Sequence, residues 1–222
     1  MSIPEDKFLK RIHSFARCSG KATPGQKAAL EKNGPEHILN ISQGFIQIPE
    51  KPLIIEIGFG MGDALSTAAL QHPDKQFIGI EVYRPSIGSL LIKIEKQAIQ
   101  NIKIFTEDAV DVLQKSIPDQ QIDAILLFFP DPWHKKRHHK RRLVQPEFIE
   151  LISKKLKSNG YFHVATDWEE YAIHTETVMA EFPNFKKEIP ENFLGRSSTK
   201  YEARGKRLGH GIRDLVYVLK SN

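Results

Sequence analysis

An aspartate between two prolines, followed at once by a tryptophan and a block of cations, is the part of this chain best equipped for chemistry. The residues are Pro130, Asp131, Pro132 and Trp133, then Lys135, Lys136, Arg137, Lys140, Arg141 and Arg142, with His134, His138 and His139 among them. The prolines fix two backbone angles and remove two donors, which predicts a short, stiff turn carrying Asp131. A fixed carboxylate, an aromatic plate and clustered cations suit an enzyme acting on a polyanion with aromatic bases. Each feature also has a plainer reading: a turn-forming Asp, a Trp covering the end of a sheet, a solvated charged loop.

A second constellation lies earlier. Glu56 is followed by Gly58, Gly60 and Gly62 at alternate positions and then by Asp63. Such glycines let a backbone turn sharply and approach a ligand closely, although a tight structural turn uses them equally well. A dinucleotide fingerprint would place its third glycine where Asp63 stands, and a carboxylate at a helix start disfavours a pyrophosphate. Glu56 adds negative charge, which suits a ligand with a cationic sulfonium and an amino group. Glu81 ends the next strand and Asp108 follows the one after; the first suits a ribose and the second an adenine amine, while Asp108 is equally a good helix cap. Together the pattern suits S-adenosylmethionine.

These groups need a frame, and the frame is legible. Residues 125–129 form an unbroken apolar run, as in a strand buried on both faces of a parallel sheet. Strands are expected at 53–57, 76–81, 102–105, 122–129, 160–166, 185–189 and 215–219. Helices are expected at 63–70, 85–99, from about 109, at 146–156 and at 168–182. The alternation predicts an α/β fold: one doubly wound, mostly parallel seven-stranded sheet with an antiparallel last strand. Ligands then bind at the carboxyl ends of the strands, where the corner and the glycines fall. The loop 190–213 should lie at that same end, as should Asp167, whose competing reading is a helix cap. Residues 1–50 show several breakers and weak periodicity, and read as a basic extension with a short helix at 25–32, ahead of a domain at 51–222.

Charge is concentrated. The chain has 222 residues and a net charge of +5, but 1–30, 135–142 and 195–213 carry +4, +6 and +5, leaving the remainder at −10. Three basic islands on an acidic body suggest a surface that grips phosphates. Cys18 is the single cysteine, so neither an internal disulfide nor a cysteine metal cluster is expected, and the histidines, His210 included, show no metal spacing. No stretch is long enough for a membrane span, and the expected location is the cytoplasm. Monomer and homodimer both stay open.

The chain closely resembles the bacterial tRNA (guanine-N7-)-methyltransferases. The resemblance rests on the glycine loop 56–62, the corner and cations at 128–142, and a segment at 199–211 reading Thr-Lys-Tyr-Glu-Ala-Arg-Gly-Lys-Arg-Leu-Gly-His-Gly. It implies a Rossmann-like class I methyltransferase that uses S-adenosylmethionine, with no metal, to methylate a guanine in the tRNA variable loop. It further implies that Glu56, Gly58, Gly60, Gly62, Glu81, Asp108 and Asp131 hold the cofactor and that Asp131 is catalytic. Lys135, Asp167, Thr199, Lys200, Tyr201 and Glu202 would contact substrate, and Arg137, His138, His139, Lys140, Arg141 and Arg142 the RNA. Lys21 stands where the family pattern has arginine.

Three other classes compete. An amino methyltransferase would share an Asp-Pro-aromatic turn but would not need six cations after it. A catalytically silent RNA-binding module would not need the glycine loop and its acids, and a nicotinamide oxidoreductase is opposed by Asp63.

Overall fold

A computed structural model describes residues 20–196 and 211–221. Seven strands form one sheet: β1 (Leu53–Ile57), β2 (Gln76–Ile80), β3 (Ile102–Phe105), β4 (Ile122–Phe128), β5 (Leu156–Thr166), β6 (Phe185–Lys187) and β7 (Arg213–Leu219). Their order is β3-β2-β1-β4-β5-β7-β6. The pairs β1–β2, β1–β4, β2–β3 and β4–β5 are parallel, and β7 runs antiparallel to both its neighbours. This is the doubly wound sheet with a reversed last strand that the apolar runs imply.

All five residues of β1 are buried because both faces of the sheet are covered. Leu53, Ile55 and Ile57 face one apolar core with α4 (Ala109–Lys115), α5 (Pro146–Lys155) and α6 (Glu169–Met179). Ile54 faces the other, against α1 (Pro24–His37), α2 (Asp63–Gln71) and α3 (Arg84–Gln97). Register aligns the carboxyl ends, with Ile57 opposite both Ile80 and Leu127, and Ile80 opposite Phe105. Gly58, Glu81 and the corner after Phe128 therefore emerge along one rim.

Residues 20–50 hold a longer helix than the breakers suggest. Helix α1 runs on to His37 through Pro35, twelve residues in, and starts from a capping box. There the Thr23 hydroxyl accepts from the Gln26 amide and the Gln26 side chain accepts from Thr23 N–H. It lies on α3, where Gln26 donates to Ser89 (2.9 Å), and His37 Nδ1 sits 3.0 Å from the Ile102 carbonyl. Elsewhere the differences are at element ends. β5 begins at Leu156, where a helix was expected to finish, and α6 stops at Met179 rather than running to 182.

Candidate active site

The loop between β1 and α2 is built on backbone conformations that side chains resist. Gly58, Gly60 and Gly62 have φ of 72°, 53° and 78°. A Cβ on Gly62 would lie 2.8 Å from Leu90 Cδ1, so the loop is pressed against α3 there, while Cβ positions at Gly58 and Gly60 face open space. The open side is a cradle for a ligand that must touch backbone. At the helix start the Asp63 carboxylate is 2.7 Å from Lys93 Nζ. The charge that argued against a pyrophosphate is thus neutralised from α3, and the acids that shape the cleft are others.

Glu56 is 3 % exposed, and its carboxyl is pushed up to about 8 by burial and then by the negative charge of Glu81. Glu81 is also raised, mainly by desolvation, against three opposing backbone hydrogen bonds. Gly60 N–H donates to Oε2 (3.1 Å), and the N–H groups of Val82 (2.8 Å) and Tyr83 (3.0 Å) donate to Oε1. Three of about four acceptor positions are therefore taken, leaving room for one further donor such as a ribose hydroxyl. Asp108 is buried and caps α4, accepting from Val110 N–H at 2.9 Å. Two poorly solvated carboxyls beside an open glycine cradle fit a ligand carrying positive charge and disfavour an anionic one.

The corner after β4 is strained at both edges. Phe129 and Trp133, flanking Pro130–Asp131–Pro132, have φ of 50° and 49°, in the left-handed region that costs a non-glycine residue on the order of 1–3 kcal/mol. Phe129 is held by its N–H bond to the Ala165 carbonyl (2.7 Å). Asp131 is exposed at the rim; partial desolvation still raises its carboxyl, and its charge adds the smallest of the effects raising or lowering Glu81. It therefore stands within electrostatic reach of the carboxylate that Gly60 touches.

The cations fold back onto this corner. Residues Lys136–Arg141 form a 3₁₀ turn. Arg141 lies over the Trp133 ring at 5.0 Å, and His138 meets its edge at 5.8 Å, so Trp133 anchors the basic run. Arg137 Nε is 3.4 Å from His138 Nε2. Lys135, Lys136, Arg137, Lys140 and Arg141 are exposed, and nearby positive charges add to desolvation in lowering His138. His139 is half-buried, 3.2 Å from Glu170. Arg142, expected among the RNA-contacting cations, is 3 % exposed and turned inward onto Pro132 and Glu170, away from the five exposed cations.

Asp167 follows β5 on the same rim and is half-buried, but it does not cap α6, which has no side-chain cap. The Thr166 hydroxyl accepts from Trp168 N–H instead, at 3.1 Å. Thr199, Lys200, Tyr201 and Glu202 lie outside the described residues. The chain leading to them is fixed: Leu194 N–H donates to Tyr161 Oη (3.2 Å), and Arg196 makes two 3.2 Å contacts to Asp214.

Asp214 is the residue that sequence reasoning missed. Burial raises its carboxyl, but hydrogen bonds from His163 (2.8 Å) and Arg196 outweigh that and bring it down to about 2. The signal available was an acid directly before the apolar strand run, Asp214 ahead of Leu215, and a histidine, His163, inside another strand run.

Comparisons agree with this geometry. The family model described as "Putative methyltransferase" matches residues 50–215. The tRNA (guanine-N(7)-)-methyltransferase of Pseudoalteromonas translucida is 46% identical over 224 residues, covering 96% of this chain and 92% of the relative. That of Saccharophagus degradans is 45% identical, covering 96% and 97%. Among solved structures, the precorrin-6y C5,15-methyltransferase of Geobacter metallireducens matches with a TM-score of 0.54 at 14% identity, over 82% of this chain and 85% of that one. The 16S rRNA methyltransferase KamB gives 0.53 at 13% identity, over 82% and 91%. The sheet order, the glycine cradle and full-length relatives at this identity place the chain in the tRNA (guanine-N(7)-)-methyltransferase family.

Proposed function

We propose that the protein methylates N7 of a guanine in tRNA, guanine 46 of the variable loop, at the rim between the glycine cradle and the basic ledge. The observation that carries this reading is the place of Asp131: its charge reaches Glu81, which Gly60 contacts, and its corner is packed on the other side by the cationic run. S-adenosylmethionine, held by Glu56, the glycine loop, Glu81 and Asp108, supplies an electrophilic sulfonium methyl when bound.

Guanine N7 carries a lone pair and no proton, so the protein has no strong base to provide. Its task is alignment. Holding nucleophile and methyl at attack distance is worth about 7–11 kcal/mol. Asp131 performs this by accepting from guanine N1–H and the exocyclic amine, which fixes the base and pushes electron density toward N7. Lys135, exposed at the corner's edge, balances negative charge on O6 or a phosphate, and Asp167 takes a base edge. Thr199, Lys200, Tyr201 and Glu202 contact the substrate. The exposed cations Lys136, Arg137, Lys140 and Arg141, with His138 and His139, follow the backbone.

The test is the identity of the product. Labelled S-adenosylmethionine and unmodified tRNA should give labelled N7-methylguanine; label in adenine, in another guanine atom or in protein would refute the reading.

A further inference from the structure

We infer that Arg142 is a positioning residue, which holds the Asp131 corner in its reactive shape from inside the protein. The inference rests on the proposed activity and names what builds its site.

The corner cannot fix itself. Pro130 and Pro132 have no N–H, so the only backbone donor within Pro130–Asp131–Pro132 is that of Asp131. The peptide after Pro132 leads directly into Trp133, whose φ of 49° must be imposed from outside. Arg142 imposes it. Its Nε donates to the Pro132 carbonyl oxygen at 3.0 Å, its Nη2 lies 3.2 Å from Glu170 Oε1, and its guanidinium carbon sits 5.6 Å from the Tyr171 ring centre. The Arg142 backbone N–H also donates to His139 O (2.9 Å), tying the end of the basic turn to the same anchor. A buried cation is costly unless it is paired, and here the guanidinium meets the Pro132 carbonyl in the turn after β4, the Glu170 carboxylate on α6 and the fully buried Tyr171 ring. The planar fork is what reaches all three; a lysine ammonium on a flexible stem cannot face the ring and hold both oxygens. With its side chain 1% exposed, Arg142 has no face to offer a phosphate.

Positioning and RNA contact leave different kinetic marks. In Arg142→Lys, turnover at saturating tRNA should fall at least tenfold. The KM for tRNA, the cofactor Kd and the salt dependence of tRNA binding should each stay within about twofold of wild type. Glu170→Gln leaves the bond to Pro132 in place and should keep turnover within about threefold. Arg142→Met serves as a second variant if its melting curve shows a folded protein; if it does not fold, the Lys variant decides. Full turnover in Arg142→Lys would overturn the inference. So would a raised KM with a salt slope about one unit shallower, the mark of a lost phosphate contact. Equal losses in Glu170→Gln and Arg142→Lys would also overturn it, since charge neutrality alone would then explain the effect. Product analysis of the wild type in the same assay reports the activity itself, so failure of that reading is seen separately.

Discussion

The Arg196 guanidinium carbon lies 5.4 Å from the centre of the Phe129 ring. Phe129 is the strained residue from which the Asp131 corner departs, and Arg196 is the last described residue before the segment that contains Thr199 and Glu202. Asp214 holds Arg196 there. This contact joins two regions that are far apart in the chain, and it predicts that Asp214→Asn or Arg196→Met should reduce turnover about tenfold with cofactor affinity little changed. Steady-state kinetics alongside cofactor titration checks it. Unchanged turnover would mean that the Asp214–Arg196–Phe129 contact does not serve the reaction.

Glu56 links pH to both stability and binding. Its carboxyl sits at about 8 in the folded protein against 4.5 ordinarily, so the native state keeps a proton that the unfolded chain has lost. The stability of the ligand-free protein therefore falls as pH rises between those two values and levels off above the upper one. Glu56→Gln removes this slope. Urea titrations should show the variant gaining on wild type by an amount on the order of a few kcal/mol at about pH 8, and by almost nothing at about pH 4. Cofactor affinity of the wild type should rise from about pH 7 to 9 as the carboxylate ionises, and that rise should be absent in the variant.

Two glycines separate strain from space. At Gly62, φ of 78° and the 2.8 Å approach to Leu90 predict that Ala lowers stability by about 1–3 kcal/mol. At Gly58 the φ of 72° is similar but the Cβ meets open space. Gly58→Ala should therefore cost less stability, about 1–2 kcal/mol, and more cofactor affinity, because the methyl enters the cradle. Chemical denaturation and cofactor titration of both variants check the contrast; equal effects on affinity would refute it.

The ledge sets the salt response. Five exposed cations from Lys135 to Arg141, with Arg142 turned inward, predict a contribution of roughly −4 to the slope of log K against log salt for tRNA binding. Lys136→Ala should make the total about one unit shallower and leave saturated turnover intact. A slope near zero would remove the ledge from the tRNA interface.

Most of the sheet was readable because buried parallel strands announce themselves as apolar runs between breakers. Leu53–Ile57 and Ile102–Phe105 have the bounds that the pattern implies. Helix α1 was shortened by reading Pro35 as a breaker, although its missing N–H falls late in a helix already capped at Thr23 and packed on α3. The start of β7 was hidden because Arg213 and Asp214 are charged, and their partners Glu169, His163 and Arg196 come from other elements. The same limit applies to Arg142: sequence shows a cation in a run of cations, and only the fold shows that its guanidinium points the other way. Glycines and acids at strand ends were legible because their spacing is local. The Lys93 partner of Asp63 was not, since it arrives from a different helix.

The account depends most on Asp131 acting through its carboxylate, and single-turnover methylation of tRNA by Asp131→Asn measures this directly. The variant should fold as wild type does and, at saturating cofactor, form N7-methylguanine at least a hundredfold more slowly. A rate near that of wild type would contradict the mechanism.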